Sequence, residues 1–151
     1  MNYCEDPLLS SLPSASFQSS SRSSDSQSAH IVKLHSRDGS GGWSPDREDR
    51  RPWLQMDLRD RLEVTAVATQ GRWGSADWVS SYQLQYSDSG RTWRTYRQDN
   101  MPWSHCDALS VGNFLMEMSL HARVISVFQQ SQLVTESDSH AWSDAICFMP
   151  V

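Results

Sequence analysis

Alternation of apolar and polar side chains is concentrated between Trp53 and Trp93. Leu54, Met56 and Leu58 alternate with Gln55 and Asp57, the two-residue period of a strand with one buried face. Leu62, Val64, Ala66 and Ala68 repeat it with Glu63 and Thr65 between them, and Tyr82, Leu84 and Tyr86 repeat it against Ser81, Gln83 and Gln85. Asp88-Ser89-Gly90 is a turn signal, after which Trp93 opens a fourth run that continues to Arg97. Further short elements are expected at Ser14–Phe17, as a strand, and at Ala29–Leu34, as a helical turn or strand. Leu109 to Met118 alternates weakly, and Val124, Ile125, Val127 and Phe128 mark one more strand. No segment carries a convincing helical period. Many short strands separated by turn-rich loops predict an antiparallel all-β sandwich or jelly roll.

Two regions fall outside this pattern. Between Ser10 and Ser28, eleven of nineteen residues are serine, a composition that reads as a solvated loop or disorder. From Gln129 onward the chain is polar as far as Ala141, then carries Trp142 and a short apolar end at Ile146, Phe148 and Val151. The 151 residues suit one domain with a core of its own, placed at 1–147.

A net charge of −5 and a pI near 5.4 argue against nucleic acid or an anionic membrane as the main partner. The one arginine-rich patch, Arg47, Arg50 and Arg51, is interleaved with Asp46, Glu48 and Asp49 and reads as a charge-balanced loop. No apolar run reaches the ~18–20 residues of a membrane helix, and no basic-then-apolar segment opens the chain as a signal peptide. Cys4, Cys106 and Cys147 are too widely spaced for a zinc knuckle or a redox Cys-x-x-Cys pair. A clip between the two near the ends would contribute roughly 4–5 kcal/mol in the chain-entropy model. Such a clip requires an oxidising compartment, against the missing signal, and both alternatives stay open at this level.

Candidate chemistry is sparse. Gly39-Ser40-Gly41-Gly42 lacks the Lys-Ser/Thr of a phosphate loop and the strand and helix that would flank one. The five histidines form no i, i+4 pair, so no metal site and no cofactor are expected. His105 and Cys106 are neighbours, but adjacent strand residues face opposite ways and no third group orients them. Asp57, Asp60 and Glu63 are expected to be soluble acids near a turn rather than a catalytic pair. No catalytic residue is assigned, and the chain is expected not to be an enzyme. Binding is better represented: Trp73, in the loop RWGSADW between two strand runs, is the residue expected at a loop tip. Arg72 and Asp77 share that loop, whereas Trp78 is expected in the core. Trp43, in the long loop from His35 to Pro52, is the remaining binding-loop candidate, although an aromatic there generally packs down as an anchor.

Four motifs occur in order: Trp53 to Leu58 (WLQMDL), Val64 to Gly71 (VTAVATQG), Trp78 to Ser87 (WVSSYQLQYS) and Asp88 to Trp93 (DSGRTW). In these the chain resembles the discoidin domain, or coagulation factor V/VIII C-type domain. Asn2 to Leu8, Ser14 to Phe17 and Gly41 to Pro45 narrow the resemblance to the first domain of contactin-associated proteins, members of the neurexin superfamily. It implies a galactose-binding-domain-like jelly-roll sandwich of about eight antiparallel strands with recognition loops near Phe17–Ala29, His35–Pro52 and Gly71–Trp78. It further implies a cell-adhesion module at the extracellular face of the plasma membrane, with a contactin-like protein or a glycan as partner. The alternatives it carries are binding to a phosphatidylserine surface or to carbohydrate. The serine-rich first loop speaks against membrane insertion. Cys147 falls about where the family ends on a cysteine, which implies a Cys4–Cys147 bridge. The chain departs from the family after Ala122-Arg123, with Val124 and Ser126 and a polar tail where an aromatic and a second Arg are expected. With no signal and no further domains, a fragment or variant chain is expected.

Overall fold

The structure, a computed structural model, describes residues 8–25, 28–33, 37–39, 42–69, 81–105, 114–129 and 147–148. Among these there is no α-helix; seven strands form one continuous antiparallel sheet that folds over itself. They are β1 (Phe17–Ser19), β2 (Trp53–Thr69), β3 (Ser81–Ser87), β4 (Arg94–Thr95), β5 (Trp103–His105), β6 (Phe114–Gln129) and β7 (Cys147–Phe148). Single 3-10 turns occur at Leu8–Ser11, Ser14–Ser16 and Ala29–Ile31.

The two alternating runs Leu54–Leu58 and Leu62–Ala68 belong to one strand rather than two. Its pairing with β6 slips between Asp57↔Val124 and Leu62↔Ala122, so residues 58–61 stand opposite Arg123 alone. Arg59 there has a φ of 72°, in the left-handed region, and its amide donates to Asp57 Oδ1 at 2.8 Å. A bulge of this size turns the strand sharply while keeping it continuous. Upstream of the bend β2 pairs with β1 and β6; downstream it pairs with β6 and β7. β3 continues the first layer beyond β6 and carries β4 and β5 on its other edge.

The two layers thus share β2 and β6 and close on one core, the sandwich that the alternation implies. Leu54, Met56, Tyr82, Leu84, Ile125 and Val127 meet Val64, Val67, Met118, Leu120 and Ala122 in a single apolar cluster. Between Ala66 and Thr69 four successive residues are buried, so this end of β2 is covered on both faces. Leu9, Leu12, Phe17, Val32 and Trp43 add a third group from the N-terminal part of the chain.

Several expectations change here. The described part of the serine tract is structured: it supplies the end of one 3-10 turn, the whole of a second and β1, and the helical turn after it is Ala29–Ile31. Ser14–Ser16 is a turn, and the strand begins only at Phe17. The tail also contributes, since Cys147–Phe148 pairs with Val67 and Ala68. Cys4 and Cys106 lie outside the described residues, as do Arg72, Trp73, Asp77 and Trp78.

Candidate recognition site at the loop end

Strand register sorts the connections to two ends of the first layer. Trp53 pairs with Phe128, Gln83 also pairs with Phe128, and Ser81 pairs with His105. Ser20, Trp53, Ser81, His105 and Gln129, the described residues from which connections begin or end, therefore stand at or near this end. At the other end Asp57 and Ser87 both pair with Val124, and there lie the β2 bend and the 88–93 turn. We call these the loop end and the bend end.

The described part of the loop end is a hydrogen-bonded knot centred on Asp49. Its Oδ2 accepts from the hydroxyls of Ser20 at 2.5 Å and Ser21 at 2.6 Å, and its Oδ1 accepts from the Arg51 amide at 3.1 Å. Ser20 Oγ in turn accepts from the Trp53 amide at 3.0 Å, and Ser21 Oγ from the Asp46 amide at 3.0 Å. The backbone is laced the same way: Ser20 N donates to Trp53 O and Ser23 N to Ser44 O. Partial burial pushes the Asp49 carboxyl up, but the bonds from Ser20, Ser21 and Arg51 outweigh it and hold the group below the ordinary carboxylate range.

Trp43 is the hydrophobic half of this knot. Its indole is fully buried, and Nε1 donates to Ser21 O at 2.8 Å. A buried indole satisfied by a backbone carbonyl is an anchor for the loop, so its candidacy as a contact residue is corrected: it supports the loop from beneath. Arg72, Trp73 and Asp77, the other candidates, lie outside the described residues.

The bend end is built differently. Asp57 meets Arg123 in a forked pair, Nε to Oδ1 at 3.2 Å and Nη2 to Oδ2 at 3.4 Å. Here too burial raises the carboxyl's pKa, but the Arg123 hydrogen bond, the Arg59 amide and the positive charges of both arginines bring it below the ordinary value. Arg61 Nε pairs with Asp88 Oδ1 at 3.0 Å. An open groove of about 800 Å³ lies beside the pair, between Leu8, Leu12, Leu58 and Leu62. Asp57 and Asp60 both line it, but Asp57 is tied to Arg123, which leaves it poorly placed to act as an acid or a nucleophile.

The model of the F5/8 type C domain matches residues 16–143. The chain belongs to the F5/8 type C domain family. Domains of this family are in general binding modules rather than catalysts. Among solved structures, the F5/8 type C domain described here is similar to recombinant discoidin II of Dictyostelium discoideum, with 21% identity and a TM-score of 0.73. That match covers 89% of this chain and 55% of the discoidin II chain, so this chain spans about half of that protein. It is also similar to CpGH89CBM32-5 from Clostridium perfringens, solved in complex with GalNAc-beta-1,3-galactose: 14% identity, TM-score 0.67, covering 91% of this chain and 98% of that one. A fucose binding module of Streptococcus pneumoniae, SpX-3, matches with 12% identity and a TM-score of 0.62, covering 97% and 98%. At these identities the likeness is one of fold, and it is the jelly-roll fold that the strand pattern predicts.

Sequence reasoning missed Asp49 and its two serines. The signal was present only as a run of charges and a run of serines, separated by some thirty positions and with no shared period.

Proposed function

We propose that this F5/8 type C domain is a non-enzymatic recognition module of the contactin-associated type, acting at the extracellular face of the plasma membrane and binding a contactin-like cell-surface protein through its loop end. The supporting observation is the Asp49 knot. It fixes the serine segment and the 43–53 segment to each other and to Trp53 at the head of β2, so that two loops present one rigid surface. Preorganised loops of this kind reduce the ordering cost of binding. The motifs at Asn2–Leu8 and Gly41–Pro45 direct the reading to this branch of the family.

Extracellular placement goes with a Cys4–Cys147 bridge, which we include in the proposal. Cα atoms of the Leu8–Ser11 turn approach those of Cys147–Phe148 to within 8 Å, and Cys4 lies four residues before Leu8. Intact-mass and peptide mapping without reductant should recover the cross-linked pair; recovery of free thiols at both positions from oxidatively folded protein would remove it.

The test of the main reading is surface binding of the oxidised domain to an immobilised contactin ectodomain, with Trp73→Ala alongside. Saturable binding weakened by the substitution is expected. A folded wild type that fails to bind would remove the protein partner. A glycan is the second reading, favoured by the fold likeness to modules solved with GalNAc-beta-1,3-galactose and described as fucose binding; a glycan array tests it directly.

A further inference from the structure

The sequence 46–51 reads as three acids neutralising three arginines, but the structure does not pair them. Asp49 has its carboxylate engaged by two serine hydroxyls and the Arg51 amide. Asp46 Oδ1 is taken by the Glu48 amide at 2.8 Å. Nearby, Asp25 pairs with Arg22 at 2.9 Å. The guanidiniums of Arg47, Arg50 and Arg51 are all exposed, and none has an ion-pair or hydrogen-bond partner among the described residues. At the bend end Arg61 and Arg123 are each held by an aspartate, and the exposed Arg91 belongs to no such run of three arginines.

We propose that Arg47, Arg50 and Arg51 form a docking surface for a sulfated glycan, which deepens the reading of the loop end as the recognition surface and rests on it. A guanidinium offers a planar fork of donors that matches two oxygens of a sulfate. Three such forks within five positions, on a loop fixed by Asp49 and Trp43, suit a chain of repeating anions. An anionic lipid surface fits less well. The whole chain carries −5, and the one large apolar side chain exposed among the described residues, Met101, is on the β4–β5 connection rather than beside the arginines. Glu48 is exposed in the midst of the patch, and its charge opposes the ligand.

The experiment is biosensor binding of the oxidised domain to heparin, to desulfated heparin and to phosphatidylserine vesicles. Three proteins are compared with wild type: Arg47→Ala/Arg50→Ala/Arg51→Ala, the charge-matched control Arg59→Ala/Arg91→Ala/Arg94→Ala, and Glu48→Ala. Heparin binding is expected to fall steeply with salt, to vanish on desulfation and to weaken by about tenfold or more in the loop triple. The control triple should stay within about twofold of wild type, and Glu48→Ala should bind more tightly. Equal losses in the two triples would reduce the effect to net charge and overturn the proposal, as would undiminished binding by the loop triple or preference for vesicles. Should the loop triple lose its thermal transition, Arg47→Ala and Arg50→Ala singly must each weaken binding. Contactin binding measured on the same proteins separates the two readings, because an unchanged contactin response with no heparin response sinks the sulfated glycan alone.

Discussion

Asp49 and Asp57 mark opposite ends of one sheet, and both carboxyls are held ionised, but by different chemistry. Asp49 is held by neutral donors, two hydroxyls and an amide. Asp57 is held in good part by a cation, Arg123. Neutral donors order a loop without using up its positive charge, whereas an ion pair orders a bend by cancelling charge against charge. The loop end is consequently tied together with its three neighbouring guanidiniums still free of partners among the described residues, whereas the bend end is tied by ion pairs that occupy Arg61 and Arg123.

The contrast is most severely tested from beneath the loops. Trp43→Ala removes a fully buried indole and its bond to Ser21 O, and should cost about 3–5 kcal/mol in urea unfolding. If the loop end were merely draped over the core, the loss would be far smaller. Asp49→Ala should cost about 1–2 kcal/mol and speed amide exchange at Ser20 to Ser23. Asp57→Ala should cost about 1 kcal/mol or less, because the pair it breaks is a partly exposed surface pair, with Arg123 and Asp57 side chains 50% and 39% accessible. A reversal of that order would break the comparison.

Acid and salt sharpen it. Both carboxyls have folded pKa values below the ordinary 3.8. Their contributions are therefore complete above that value and disappear as pH falls through the lower folded values. In 1 M salt, where the screening length is about 3 Å, the Asp57 contribution should shrink while that of Asp49 persists, a difference readable in the acid unfolding of Asp57→Asn and Asp49→Asn. The smallest effect is expected at Arg59, whose φ of 72° disfavours a side chain. Arg59→Gly should stabilise the domain by up to about 1 kcal/mol, and a loss of stability instead would mean that the arginine side chain holds the bend.

How much of this was legible beforehand varies with the range of the interaction. Strand positions could be read because a buried face imposes a period of two on neighbouring residues, as at Leu54, Met56 and Leu58. The union of two runs into β2 could not, because Arg59 to Arg61 look like a polar turn and nothing local says that pairing with β6 resumes beyond them. The serine tract was misread because composition registers hydroxyls and not their partners: Ser20 and Ser21 look solvated until Asp49 is brought to them. For the same reason the acids at 46–49 looked like neutralisers of the arginines beside them. Trp43 was half legible, recognisable as an anchor by its size but not by its bond to Ser21.

The central strand has a consequence for how the domain is made. β2 ends at residue 69, but β6, which covers its whole length, is complete only at residue 129, and β7 arrives at 147. At roughly 5–20 residues per second of synthesis, those sixty residues take about 3–12 s. Throughout that interval the edge of β2 that pairs with β6 is open, and β1 has already been made but meets only Leu54 to Met56. During biogenesis the part of β2 beyond its bend thus waits longest for cover, and it is the part a chaperone would have to shield until β6 is complete.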